Sequence, residues 1–184
     1  MRIIAGEFKG RRLSTPRGGT TRPTADQVRI ALMDTLGPRL PDARVLDLFA
    51  GAGGVGLEAL SRGAAHATFV ERDPRAVEAL DENIRTLGVE SRAAVARGDV
   101  VRQLERLAGG GRRFEIVFLD PPYALDLGEQ ALAVLGAGAL VAADGVVIAQ
   151  HFTKRPPAAE YGVLRAFRAR RFGETTLTFF RAEG

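Results

Sequence analysis

Asp120-Pro121-Pro122-Tyr123 is the stretch of this sequence whose residue types point most directly to chemistry. It follows Phe114-Glu-Ile-Val-Phe-Leu119, a nearly continuous apolar run that reads as a parallel strand buried on both faces. Two prolines stop the ladder and stiffen the exit, and neither has an N–H to occupy the neighbouring carbonyls. An exocyclic amino group on a nucleic-acid base carries two hydrogens and a delocalised lone pair. To act as a nucleophile its nitrogen must pyramidalise. Acceptors at the Asp120 carboxylate and the Pro121 carbonyl would hold the two hydrogens, and Tyr123 would offer a flat face for the base to stack on. Catalysis of this kind is chiefly alignment and electrostatics, with Asp120 orienting first and acting as a base second.

A second constellation supplies a cofactor site. Gly51-Ala52-Gly53-Gly54-Val55-Gly56 matches G-x-G-x-x-G directly after an apolar strand, Arg44-Val-Leu-Asp-Leu-Phe49, and before a helix. Glu71 ends the next strand, twenty residues after Gly51, where a carboxylate accepts from ribose hydroxyls. Nicotinamide dinucleotides and S-adenosylmethionine both carry that ribose. Asp47 favours the second, because a carboxylate before the glycines suits the methionine ammonium and repels a pyrophosphate. Asp99 has two readings: an acceptor for the adenine amino group, or the N-cap of the helix that follows. Phe49 and Arg72, next to these carboxylates in sequence, complete the candidate cofactor set with Asp47, Gly51, Gly53, Glu71 and Asp99.

The elements that must position these residues alternate. Strands are expected at 44–49, 67–71, 91–97, 114–119 and 146–149, with helices at 54–62, 74–87, 100–108 and 126–136. This order predicts an α/β fold with a doubly wound, Rossmann-like parallel sheet whose ligands bind beyond the strand carboxyl ends. Residues 163–171 and 174–181 read as an antiparallel C-terminal hairpin joined at Phe172-Gly173-Glu174. Upstream, residues 2–13 read as two short strands of an N-terminal β-hairpin, and 14–23 as a linker. Thr24 and Gln27 fit a capping box opening a helix that Gly37-Pro38 stops.

The chain of 184 residues has net charge +4, unevenly spread. Residues 1–29 carry seven basic and two acidic side chains, a local +5; residues 154–171 carry six and one, again +5; residues 30–153 carry 12 and 17, a local −5. Two basic segments on a neutral or acidic body suggest a polyanion held at one face. The absence of cysteine excludes thiolate catalysis, disulfides and cysteine-ligated metal. The two histidines, His66 and His151, read as ordinary side chains, so no metal is expected. With no secretory signal pattern and no apolar stretch near the ~20 residues a membrane span needs, a cytoplasmic monomer is expected.

On these residues the chain resembles class I methyltransferases with a D/N-P-P-Y/F motif, and more narrowly the RsmD family of ribosomal RNA guanine-N2 methyltransferases. The similarity covers RIIAGEFKGRRL at 2–13, Arg22-Pro23-Thr24 followed by Val28-Arg29, DLFAGAGGVGLEALSRGA at 47–64, then Glu71, Asn83, Leu87-Gly88, DPPY and Arg171-Phe172-Gly173-Glu174-Thr175. The resemblance implies S-adenosylmethionine as methyl donor and, as acceptor, a guanine N2 amino group in small-subunit (16S) ribosomal RNA within a partly assembled ribonucleoprotein. It also implies an RNA-binding extension over residues 1–23 and a methyltransferase domain over 24–184. Candidate RNA contacts are Lys9, Arg11, Arg12, Arg22, Thr24 and Arg29. Three alternatives use the same motifs: an adenine-N6 methyltransferase acting on DNA or RNA, a nicotinamide-dependent oxidoreductase, and a non-catalytic RNA-binding protein.

Overall fold

A computed structural model describes residues 1–16, 23–122 and 126–183, without the side chains of 23–25. Arg22 and Tyr123 therefore lie outside the described residues, as does the side chain of Thr24. Five strands run parallel: β1 (Arg44–Leu48), β2 (His66–Glu71), β3 (Ala93–Arg97), β4 (Phe114–Leu119) and β5 (Val141–Phe152). Three more close the chain: β6 (Glu160–Tyr161), β7 (Leu164–Phe172) and β8 (Thr175–Ala182). The spatial order is β3-β2-β1-β4-β5-β8-β7-β6, with β8 antiparallel to β5 and β7. The expected α/β sheet with an antiparallel C-terminal hairpin is what the chain forms.

Strand order reverses between β1 and β4, and a doubly wound sheet opens its ligand crevice there. Leu48 stands opposite Leu119, so Phe49 and Asp120 follow side by side at that crevice. Helices cover both faces. The helices α1 (Pro23–Leu36), α2 (Gly54–Ser61) and α3 (Pro74–Leu87) bury Leu32, Leu57 and Leu80 with Phe69, Phe118 and Phe179 in one core. The helices α4 (Val100–Gly109) and α5 (Leu127–Gly136) bury Leu104 and Leu132 with Val117 and Phe180 in the other. Asp73 caps α3 ahead of Pro74, and Gly88, at φ 68°, ends it.

The structure departs from expectation at three places. The N-terminal hairpin forms but is short: Ile3 and Leu13 N–H groups donate to the Arg11 and Met1 carbonyls and Gly10 N–H to that of Ile3, around a bridge between Arg2 and Arg12 and without two full strands. Glu58 on α2 takes the backbone donors that a longer ladder needs, accepting from the Ile4 and Ala5 N–H groups at 2.8 and 3.0 Å. Ser61 takes the next two, from Glu7 and Phe8. Helix α1 begins at Pro23, so Thr24 lies inside its first turn instead of capping it; the fixed φ of proline is already helical. Strand β5 starts at Val141, five residues before the apolar run, because a register shift opposite Phe114 and Ile116 absorbs Ala142–Gly145 without breaking the ladder.

Candidate active site

Helix α1 and the ends of β1, β4 and β5 enclose a cavity of about 180 Å³, lined among others by Asp47, Phe49, Gly54, Phe118, Asp120 and Gln150. Asp47, on the last turn of β1 before the loop, is 2% exposed, and its Oδ2 accepts from the Gly56 N–H at 2.9 Å. That amide belongs to the first turn of α2, where a negative charge is favoured. Burial outweighs it and pushes the Asp47 carboxyl up to about 8, with the carboxylates of Asp120 and Glu71 raising it further. Phe49 sits at φ 58°, a left-handed conformation rare for a side-chain-bearing residue, at the point where β1 turns into the glycine loop.

The glycines divide their tasks. A Cβ on Gly56 would stand 2.3 Å from Phe69, and one on Gly53 2.4 Å from Leu80, so these two let α2 pack against the sheet and α3. Gly51, at φ 56°, has open space where its Cβ would be, which is the geometry of a backbone kept clear for a ligand. Glu71 holds this loop: Oε2 accepts from Gly51 N–H at 2.8 Å, and Oε1 from the N–H groups of Arg72 and Asp73, each at 2.8 Å. A carboxylate has about four lone-pair sites, so ribose hydroxyls can still be accepted. Asn83 on α3 ties loop to terminus, donating to the Ala52 and Ser14 carbonyls and accepting from the Ser14 N–H.

Asp99 is the N-cap of α4, accepting from Arg102 N–H at 3.1 Å through Oδ1. Of its two readings, capping is the one observed. Pro121 and Pro122, directly after Asp120, line a second cavity, also of about 180 Å³, with Glu129, Gln150, His151 and Arg155. Gln150 borders both. His151 is held by the Phe152 carbonyl and the Thr178 hydroxyl, each at 2.8 Å, and burial lowers its pKa. No group of three or more metal-ligating side chains occurs among the described residues.

The candidate RNA contacts do not form one set. Lys9 and Arg12 are exposed, and Arg11, also exposed, donates to the Thr86 carbonyl at 2.8 Å. Arg29 corrects the expectation: it is 5% exposed, and its Nη2 donates to the Arg2 carbonyl at 2.7 Å and to Asp26 at 3.1 Å. A side chain so enclosed cannot meet a phosphate on the surface; it lines the Asp47 cavity instead. Gln150 on β5 joins that lining, as do Val28 and Leu32, which were not expected there. The apolar period of α1 gave Val28 and Leu32 away only as core.

The chain is similar to several known proteins. A family model described as "Conserved hypothetical protein 95" matches residues 1–181. YlbH of Bacillus subtilis is 36% identical over 184 residues, all of both chains. The Escherichia coli "Ribosomal RNA small subunit methyltransferase D" is 42% identical over 135 residues, 73% of this chain and 66% of that one. The solved structure of E. coli yhhF superposes with a TM-score of 0.88 at 33% identity, over 100% of this chain and 98% of the other. Matched by this family model over nearly its whole length, and 36% identical to YlbH over all of both chains, the chain belongs to this family, the RsmD methyltransferases.

Proposed function

We propose that this chain transfers a methyl group from S-adenosylmethionine to the exocyclic N2 amino group of a guanine in small-subunit ribosomal RNA. The observation that carries this is the meeting of Asp120 with the glycine loop in one cavity at the strand-order reversal. The residues present fit the cofactor. Gly51 leaves its backbone open, Glu71 and Arg72 stand at the ribose edge, and the buried Asp47 lies in a carboxylate group whose mutual repulsion a cation relieves. A pyrophosphate there would deepen the repulsion, which disfavours a dinucleotide. Phe49 shapes the wall, Gly53 lets the loop turn into α2, and Asp99, capping α4 through Oδ1, is the residue this reading gives to the adenine amino group.

Bound, S-adenosylmethionine supplies an electrophilic methyl on a sulfonium. The protein's part is to hold the nucleophile. Asp120 accepts one hydrogen of the target amino group, the Pro121 carbonyl the other, and Pro122 stiffens the turn, so the lone pair is freed and aimed. Tyr123 stacks on the base. The second cavity, reached past Pro121 and edged by Gln150, is of a size for a base turned out of its stack.

The charge pattern supports RNA as the substrate. Arg170 on β7 donates to the Ala31 carbonyl and the Thr35 hydroxyl of α1, which puts the late basic segment on the α1 side of the sheet. Residues 1–14 pack against the same core through Ile3 and Leu13. The exposed Lys9, Arg11 and Arg12 are the phosphate contacts this reading assigns to that segment, with Arg22 and Thr24 following them in sequence. The family resemblance further supports a partly assembled small subunit as substrate, and a cytoplasmic, metal-free monomer as the working form.

Asp120→Ala tests the assignment. It removes one preorganised acceptor without touching the glycine loop, so turnover should fall by roughly 10²–10³-fold while S-adenosylhomocysteine binding is retained. Single-turnover methylation of small-subunit RNA at saturating cofactor reads this. A folded variant methylating at the parent rate would reduce Asp120 to a turn residue.

A further inference from the structure

Arg29 is a buried cation with donors left over. Its Nε has no hydrogen-bond partner among the described residues and its side chain is 6% exposed. Nη2 is engaged by the Arg2 carbonyl and Asp26, whereas Nη1 donates to nothing among the described residues. Nη1 stands beside the glycine loop, 3.1 Å from where a Cβ on Gly54 would be. The nearby Glu58 is committed elsewhere, to the Ile4 and Ala5 amides and to Arg62 Nε. A buried guanidinium with unmet N–H groups is costly unless an anion completes it. Arg29 also shares a cavity wall with residues of the opposite charge: Asp47 and Asp120 face the same space of about 180 Å³. A small cavity with carboxylates on one side and a guanidinium on another is complementary to a zwitterion.

We infer that Arg29 binds the α-carboxylate of the cofactor's methionine moiety through Nε and Nη1, which meet no acceptor among the described residues, while the Asp47 side of the cavity receives the ammonium. This rests on the S-adenosylmethionine reading above. An RNA phosphate is excluded as the anion by the burial of the side chain. A purely structural role uses Nη2 alone and leaves Nε and Nη1 unaccounted for.

Calorimetry on the full chain with two ligands, S-adenosylhomocysteine and its decarboxylated analogue S-adenosyl-3-thiopropylamine, tests it. The intact protein should bind the decarboxylated ligand about 10- to 100-fold more weakly, the value of a hydrogen bond to a charged group. Arg29→Gln and Arg29→Met should lose affinity for S-adenosylhomocysteine by a similar factor and bind the two ligands nearly equally; Arg29→Lys should recover part of the preference. If the variants weaken both ligands together and keep the ratio, Arg29 is structural and the inference is wrong. Equal affinities in the unaltered protein overturn it without any variant. Should neither ligand bind the unaltered protein, the cofactor reading itself falls, and this inference with it.

Discussion

Asp47 is 2% exposed near two other carboxylates, and burial pushes its pKa up to about 8 from an ordinary value near 4. Between those values the folded chain holds a proton that the unfolded chain has lost. The contribution of Asp47 to stability is therefore complete below about pH 4 and declines until pH passes 8. Denaturation midpoints of the parent and Asp47→Asn should show this: their difference moves against the parent up to pH 8, then levels, and a pH-independent difference would refute the protonated carboxyl. A cationic ligand should expel the proton, so S-adenosylhomocysteine binding at pH 7 should release protons, seen as a binding enthalpy that varies with the buffer's ionisation enthalpy and ceases to vary in Asp47→Asn. The sequence made Asp47, Glu71 and Asp120 legible because each carboxylate lies at or next to the carboxyl end of an apolar strand, Asp47 and Asp120 with a glycine loop or a proline pair just beyond. It could not tell Arg29 from its surface neighbours. A basic residue in a basic segment looks like a phosphate contact until packing encloses it, and enclosure depends on Glu58 and Arg2, far apart in the chain.

At the scale of elements, the parallel strands and their helices were legible from apolar runs and from Gly and Pro stops, and β4 is bounded as its pattern predicts. The N-terminal segment was only partly legible, because its two arms share few backbone bonds, Ile3 to Arg11 and Leu13 to Met1 among them, while the amides of Ile4, Ala5, Glu7 and Phe8 pair with Glu58 and Ser61 on α2. Glu58 is fully buried, accepting from Ile4, Ala5 and Arg62. Breaking such a buried charged network costs about 3–5 kcal/mol, and here the loss should fall first on residues 1–14. Glu58→Gln should make the amides of Ile4 and Ala5 exchange faster by hydrogen exchange while those of β1 and β4 keep their protection. Uniform loss across the sheet would mean that the segment is not a separate unit. Asn83, bonded to both Ser14 and Ala52, predicts that this loosening reaches the glycine loop and weakens cofactor binding.

At the scale of the whole molecule, Arg170 on β7 ties the late basic segment to α1. Phe167 is 50% exposed on β7 at a bulge, with Arg181 stacked against its ring at 5.8 Å and Arg168 against Phe179 at 5.9 Å. Strand β7 is three places from β4, roughly 14 Å at the usual strand spacing, close enough for one RNA strand to meet both. Phe167→Ala should cost about 1–3 kcal/mol of RNA affinity if a base stacks there. Arg168→Ala should lower the slope of log K against log[salt] by about 0.7–0.9 if it neutralises one phosphate. Affinity and slope unchanged in both would remove β7 from the RNA face. Net charge and the two +5 segments announced a polyanion, but only the pairing of β7 with β8 and the Arg170–Thr35 bond put the late segment on the α1 side. The most direct test of the proposed reaction is nucleoside analysis of small-subunit ribosomal RNA, naked and in partly assembled particles, after incubation with the protein and methyl-labelled S-adenosylmethionine. All label should appear in N2-methylguanosine; label in N6-methyladenosine, or none in either substrate, would contradict the proposed function.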